Sequence, residues 1–281
     1  MNALSNLIAK IPLKIHCWGG FGSQLNALGF ALELTKRFQN RRIILVFHTG
    51  GVTRRDVEIQ DLIPCSFSWE IVDDYVDNLN FSTNIRKTRK FLSKILLFLR
   101  IIVTPSENSD FVKIKPWTFS ARGHYAQIRL SPSVLSELAH GLGLSEVNHR
   151  DTPLVVHYRL GDLLALEKGF TESDEICKVA HRFGRSGWLV LTDSPAEASG
   201  KLRKNTLNVK FDRFLNLSPK EVIQVGFSSE IFIGTTSKIS IWIAIFRISA
   251  NRGLTFLPYE MQEATSGILP IDKSYGLKFY P

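Results

Sequence analysis

Residues Leu154–Asp162 read Leu-Val-Val-His-Tyr-Arg-Leu-Gly-Asp, and the reading of this stretch decides the fold. Three apolar residues form a short strand, which runs out through His157, Arg159 and Asp162 into a Gly-containing turn. In open α/β sheets ligands bind outside the carboxyl ends of strands. An arginine there stays charged, and its planar fork of donors suits a phosphate. The same residues also read as a surface ion pair, Arg159 with Asp162, at an ordinary loop. The flanking sequence has to decide.

Downstream, Ile176–Phe183 has helical character, and Trp188–Leu191 is a buried strand ending in Thr192-Asp193-Ser194-Pro195. An Asp at a strand-to-helix turn caps the helix, or, at a nucleotide site, accepts hydrogen bonds from a base or ribose. Val209–Phe211 and Ile231–Ile233 are further short strands. Gly234-Thr235-Thr236-Ser237-Lys238 then opens a helix over Ile239–Ile248, apolar nearly all round and therefore buried. A hydroxyl-rich, Gly-led helix start is a good anion cradle. Leu254–Leu257 reads as a final strand, followed by a loose tail.

Upstream the pattern repeats. Lys14–Trp18 is a strand, Gly19-Gly20-Phe21-Gly22-Ser23-Gln24 a Gly-rich turn, and Leu25–Phe38 a helix with apolar residues at helical spacing. The glycines admit close backbone approach to a ligand, or simply make a tight connection. Ile43–Phe47 is a buried strand ending in His48-Thr49-Gly50-Gly51, with Arg54 and Arg55 beyond. Ile59–Pro64 and Trp69–Val72 read as a short helix and a strand. Trp117–Ser131 gathers Trp117, Arg122, His124, Tyr125 and Gln127, which suits a sugar face or a loop packing its own aromatics. Ser131 and Pro132 start a helix that runs to Leu142. The polar stretch Ser145–Pro153 is the expected domain boundary.

A chain of 281 residues with 44% hydrophobic and 22% charged residues builds a substantial core and is not a disordered composition. Its 35 Lys and Arg against 26 Asp and Glu, a net +9, favour an anionic partner. Cys17, Cys65 and Cys177 are odd in number and widely spaced, which suggests neither a disulfide framework nor a structural metal and points to a reducing, cytoplasmic compartment. No signal peptide is read at the N-terminus, and no run reaches the roughly 18 apolar residues of a membrane span. Arg86–Val103 is basic and apolar by turns: it reads as a core helix, or as a segment lying on an anionic membrane. Nucleic acid is not expected, because the basic run Arg86–Lys90 has no interleaved aromatics.

Strands and helices alternate in both halves, so the expected fold class is α/β: two Rossmann-like domains facing a cleft, divided as 1–150 and 151–281. Here the motifs meet a family. His157-Tyr158-Arg159-Leu160-Gly161-Asp162 resembles the HxRRxD motif of the α1,2-, α1,6- and protein-O-fucosyltransferase superfamily, and is most similar to the bacterial α1,2 type. Three segments resemble other family motifs in the right order: Gly19-Gly20-Phe21-Gly22-Ser23-Gln24-Leu25, Gly123-His124-Tyr125-Ala126-Gln127, and Ile233-Gly234-Thr235-Thr236-Ser237-Lys238-Ile239-Ser240-Ile241-Trp242.

The resemblance implies a GT-B fold, with an acceptor-side first domain and a nucleotide-sugar-binding second domain. It implies inverting, metal-independent transfer of fucose from GDP-fucose to a glycan or lipid-linked oligosaccharide of a surface polysaccharide. Arg159 would steady the leaving diphosphate, His157 shape that site and Asp162 position neighbouring donors. Ser237 and Lys238 would meet the phosphates, Asp193 and, more weakly, Glu230 the guanine or ribose. Gly19, Gly20 and Gly22 would let the first domain close over the donor, Tyr125 and Gln127 would contact acceptor, and Glu167 would serve as base. One departure matters: the family's second Arg is Leu160 here. Its loss leaves compensation by Arg54, Arg55, Arg122 or Lys238, a transferase using another sugar nucleotide, or a weakly active or non-catalytic nucleotide- or glycan-binding member.

Overall fold

The computed structural model describes residues 11–38, 41–50, 54–73, 94–105, 111, 113–145, 154–161, 171–184, 186–269 and 276–281. The chain divides into two compact units, Met1–Val134 and Leu135–Pro281. The polar stretch 146–153 lies outside the described residues.

In the first unit, β1 (Leu13–Trp18) leads through Gly19 and Gly20 into α1 (Phe21–Arg37), and β2 (Ile43–His48), β3 (Ser68–Val72), β4 (Ile102–Val103) and β5 (Ser120–Arg122) complete a parallel sheet in the order β3-β2-β1-β5-β4. Strand order reverses between β1 and β5, whose register pairs His16 with Arg122. Leu13, Ile15 and Cys17 are buried, and α1 is buried from Phe21 to Leu34. The alternate residues Lys14, His16 and Trp18 are only half-buried. Of the basic stretch 86–103, the described part is a helical turn over 94–98 followed by edge strand β4. Paired with β5, Ile102 and Val103 join the sheet where the sequence suggests a continuing helix.

The second unit contains α2 (Pro132–Gly141, whose first turn straddles the division), β6 (Leu154–His157), α3 (Ser173–His181), β7 (Trp188–Leu191), α4 (Pro195–Leu202) and β8 (Phe211–Leu215). It continues with α5 (Pro219–Ser228), β9 (Ile231–Gly234), α6 (Lys238–Ser249), β10 (Leu254–Pro258), α7 (Gln262–Ile268) and β11 (Leu277–Tyr280). The sheet order is β11-β10-β9-β6-β7-β8, with every pairing parallel. Counted within the unit this is the 3-2-1-4-5-6 order of dinucleotide-binding sheets, and its switch point lies between β6 and β9. β7 and β9 are buried at every residue, as strands covered on both faces must be.

The C-terminal segment is not a loose tail. Leu277–Tyr280 adds the sixth strand, and the buried Tyr280 hydroxyl donates to the Gly234 carbonyl at 2.7 Å, bracing the exit of β9. At the opposite edge, fully buried Arg247 donates to the carbonyls of Gly226, Phe227, Glu230 and Leu254 and to the Thr255 hydroxyl, tying α5, α6 and β10 together. So many carbonyl acceptors offset the cost of burying its charge. Burial still lowers its pKa to about 10.

Candidate functional site

The carboxyl ends of β6 and β9 lie side by side, with His157 opposite Gly234. Beyond them one buried hydroxyl joins the two exits: Thr235 Oγ1 donates to the His157 carbonyl at 2.9 Å and accepts the Arg159 N–H at 3.2 Å. The Thr235 N–H donates to Ser240 Oγ at 3.1 Å, and Ser240 Oγ lies 2.7 Å from His157 Nδ1. Among the described residues the Ser240 hydroxyl proton has no other acceptor, so Nδ1 accepts it and the imidazole carries its own proton on Nε2. Burial, and then the Arg159 charge, lower the His157 pKa to about 4. The ring is therefore neutral at pH 7.

The turn after β6 is held by β7. The Tyr158 N–H donates to the Leu191 carbonyl at 2.8 Å, and Asp193 Oδ1 accepts the N–H groups of Leu160 and Gly161, each at 3.0 Å. A Cβ at Gly161 would sit 2.3 Å from Asp193 Oδ2, so only glycine allows this approach. Asp193 Oδ2 lies 3.9 Å from Arg159 Nε in a partly exposed ion pair. Side chains alternate along the exit. Tyr158 and Leu160 are fully buried in the core with Val156, Ile176 and Val190, while Arg159 is partly exposed.

On the β9 side, Ser237 caps α6 by accepting the Ile239 N–H at 3.2 Å, and no acidic residue occupies the first turn. Lys238 is the first helical residue, so a cation stands where the helix dipole is already positive. The remaining first-turn N–H groups have no partner within the helix. Thr171 Oγ1 accepts the Thr236 N–H at 3.1 Å, and Glu260 Oε2 lies 3.4 Å from Thr236 Oγ1.

The structure thus brings His157, Arg159, Asp193, Ser237 and Lys238 to one switch point. It does not bring Glu230 there. That residue precedes β9, at the amino-terminal edge of the sheet, where its carbonyl accepts from Arg247 and Leu254. Asp162 and Glu167 lie outside the described residues. Thr235 and Ser240 were visible in the sequence only as small polar residues near a helix start; their bridging roles depend on the β6–β9 pairing.

At the first unit's own switch point, the turn after β1 is closed internally. Gly19 takes φ +101°, Phe21 N–H donates to Glu58 Oε2 at 2.7 Å, and the buried Gln24 amide donates to Asp56 O at 2.7 Å and accepts the Glu58 N–H at 2.8 Å. The start of α1 therefore already carries a carboxylate; a Cβ at Gly20 would lie 3.3 Å from its Oε2, and Gly22 is buried in the helix's first turn. Tyr125 is buried, stacked on Phe30, with its hydroxyl between the carbonyls of His16 and Ala121. Its side chain locks β1 to β5, and half-buried Gln127 follows two residues on. Arg54 pairs with Asp73 at 3.5 Å in solvent, and Arg122 Nε donates to Ser120 Oγ at 3.2 Å.

The half-buried face of β1 holds a cluster the motif reading missed. His16 Nδ1 and His48 Nε2 lie 2.8 Å apart, and the Trp18 and His48 rings stack at 4.2 Å. Burial, Arg122, His48 and Lys14 lower the His16 pKa to about 4, against the opposing pull of Glu70.

No protein-family model and no curated protein matches the chain. Among solved structures, it is similar to a glycosyl transferase family 9 protein from Veillonella parvula, at 14% identity over 89% of this chain and 81% of that one, with a TM-score of 0.42. The NodZ α-1,6-fucosyltransferase soaked with GDP-fucose is 13% identical over 84% of this chain and 92% of that one, with a TM-score of 0.39. The UDP co-structure of S. aureus MnaA is 8% identical over 87% and 78%, with a TM-score of 0.39. At these values the likeness is one of chain trace and assigns no residue.

Proposed function

We propose that the chain is a glycosyltransferase whose second unit binds the diphosphate of a sugar nucleotide at the β6/β9 switch point. The observation that carries this is the Thr235 hydroxyl, which fixes the Arg159 turn against the start of α6. Two features that each favour an anion thereby stand on adjoining strand exits: Arg159, whose Nε lies 3.9 Å from Asp193 Oδ2, and a helix N-terminus with Lys238 and no acid in its first turn. GDP-fucose is the proposed donor, on the resemblance of residues 157–162 to the HxRRxD motif. Cytoplasm is the proposed compartment, and the first unit the proposed acceptor side, with Gln127 as contact and Tyr125 behind it.

In the proposed reaction an acceptor hydroxyl of a surface-polysaccharide glycan attacks the anomeric carbon. The bond to the β-phosphate oxygen breaks with its electron pair leaving on GDP, and configuration inverts. Arg159 and the α6 N–H groups stabilise the charge gathering on that phosphate, work a metal does elsewhere. The neutral His157 donates from Nε2, and Asp193 holds the turn. Asp162 and Glu167 keep the roles implied by the resemblance, Glu167 taking the hydroxyl proton.

Calorimetric titration with GDP-, UDP- and CDP-sugars tests the reading. GDP-fucose should bind, and Arg159→Ala should lose about tenfold or more of that affinity. Binding of UDP-sugars alone would overturn the fucose assignment. Binding of no nucleotide, or an Arg159→Ala variant with full affinity, would overturn the site. GDP-fucose binding without donor consumption in the presence of glycan acceptors would mark a binding protein instead of an enzyme.

A further inference from the structure

Six exposed large apolar side chains gather at one corner of the first unit: Ile95, Leu97, Phe98, Leu99, Trp117 and Phe119. Phe98 is 86% exposed and Trp117 48%. Leaving this much apolar surface in water is unfavourable, and a contiguous patch of it marks an interaction surface.

The patch is built, not frayed. The helical turn 94–98 closes with Ile101 N–H on Leu96 O at 2.9 Å and Arg100 N–H on Leu97 O at 3.0 Å, the Schellman pattern. Arg100 takes φ 55° to do so, a left-handed conformation that glycine usually supplies. Across from it, Trp117 Nε1 donates to Leu99 O at 3.1 Å, Thr118 Oγ1 to Arg100 O at 2.7 Å, and Phe119 N–H to Ile101 O at 3.0 Å. Buried Arg41 grips the same loop from beneath, donating to the carbonyls of Lys115 and Thr118. Thr118 points inward, so Trp117 and Phe119 share the outer side. The backbone polar groups are paired inside while the apolar side chains are held out.

Charge identifies the partner. In sequence, exposed Lys94 and Arg100 and half-buried Lys115 stand within four residues of Phe98 or Trp117. The sequence from 86 to 119 carries eight Lys or Arg against two acids, Glu107 and Asp110. Aromatic and aliphatic side chains within a stretch of strongly positive net charge match the headgroup–acyl boundary of an anionic bilayer. Among the described residues no helix is long and apolar enough to cross a membrane. We propose that the Phe98–Trp117 corner docks the protein peripherally on a membrane rich in anionic phospholipid. This stands independently of the donor sugar.

Flotation of the full chain with mixed phosphatidylglycerol/phosphatidylcholine vesicles, against pure phosphatidylcholine, tests it. The protein should float with the anionic vesicles only, and added salt should weaken the association. The double variant Phe98→Ser/Leu99→Ser should keep its Tm, since both side chains are exposed and only the backbone of Leu99 takes part in the corner's hydrogen bonds, and lose about tenfold or more of the partitioning. Absence of flotation, equal flotation on neutral lipid, or full binding by the double variant would overturn the proposal. Sedimentation without lipid covers the rival occupant. A dimer that the double variant converts to monomer, with no vesicle binding, would assign the corner to a second copy of the chain.

Discussion

The carboxylate of Asp193 accepts the backbone N–H of Leu160 at 3.0 Å, and the side chain of Leu160 thereby turns into the core. The contact links the ends of adjacent strands β6 and β7. Because side chains alternate on leaving β6, His157 and Arg159 point one way, and Tyr158 and Leu160 the other. Leu160 at 0% exposure packs with Val156, Ile176 and Val190. In this chain the position is a core site, not a vacant place for a second phosphate-binding arginine.

Restoring the motif should therefore harm the protein. Leu160→Arg drives an unpaired charge into a dry core, a cost of about 3 kcal/mol or more. Thermal unfolding should show a fall in Tm of roughly 10 °C, with no gain in nucleotide affinity. A variant that keeps its Tm and binds GDP more tightly would show that position 160 reaches the ligand.

Asp193 can be tested by separating its hydrogen bonds from its charge. Asp193→Asn keeps an oxygen for the Leu160 and Gly161 N–H groups; Asp193→Ala leaves both without their acceptor, a loss of about 1–2 kcal/mol. Stability and nucleotide affinity should survive the first change within a few-fold and fall about tenfold with the second. The Arg159 pair adds little to this, being partly exposed on both sides. Equal loss of affinity in both variants would instead indicate a direct contact of the carboxylate with the base or ribose.

Much of the second unit could be read from its sequence, because buried strands such as Trp188–Leu191 and the uniformly apolar α6 leave no competing pattern. Its last strand could not. Leu277–Tyr280 is four residues long and gains its place only by pairing with β10. Ile102–Val103 failed differently, since two strand residues inside a longer apolar run carry no periodicity of their own. Glu230 could be placed near β9 from sequence, but which edge of the sheet it faces depends on where the strand begins. The histidine pair did leave a signal. Lys14, His16 and Trp18 alternate with Leu13, Ile15 and Cys17, and such a period is unexpected in a parallel strand covered on both faces.

The turn after β1 offers a graded test of its internal closure. Gln24 is buried, and its amide serves Gly19, Asp56 and Glu58 together, so Gln24→Ala should cost about 2–3 kcal/mol. Glu58 caps the start of α1 from the surface, and Glu58→Ala should cost only about 1 kcal/mol, with Glu58→Gln milder still. Urea unfolding of the three variants should return that order. If Glu58→Ala proved the most damaging, the carboxylate would be doing more than capping.

Acid should loosen the second unit through His157. Its native pKa of about 4 lies below the ordinary 6.5 because burial and Arg159 disfavour the imidazolium. Between those values the unfolded chain binds a proton that the native chain refuses, so the unfolded state gains as pH falls. The histidine's contribution is thus complete above about pH 6.5 and drains away as pH drops toward 4, at no more than about 1.4 kcal/mol per pH unit. His16, held near 4 by burial and Arg122, adds a slope of the same sign in the first unit. Urea midpoints measured from pH 7 to pH 4.5 should fall steadily, and His157→Gln, which cannot take up the proton, should flatten that fall. The variant is expected to start from lower stability, because its amide fits the Ser240 hydroxyl less well than Nδ1 does at 2.7 Å. The slope, and not the starting value, is the measure: an unchanged slope in His157→Gln would mean the imidazole is protonated in the native protein.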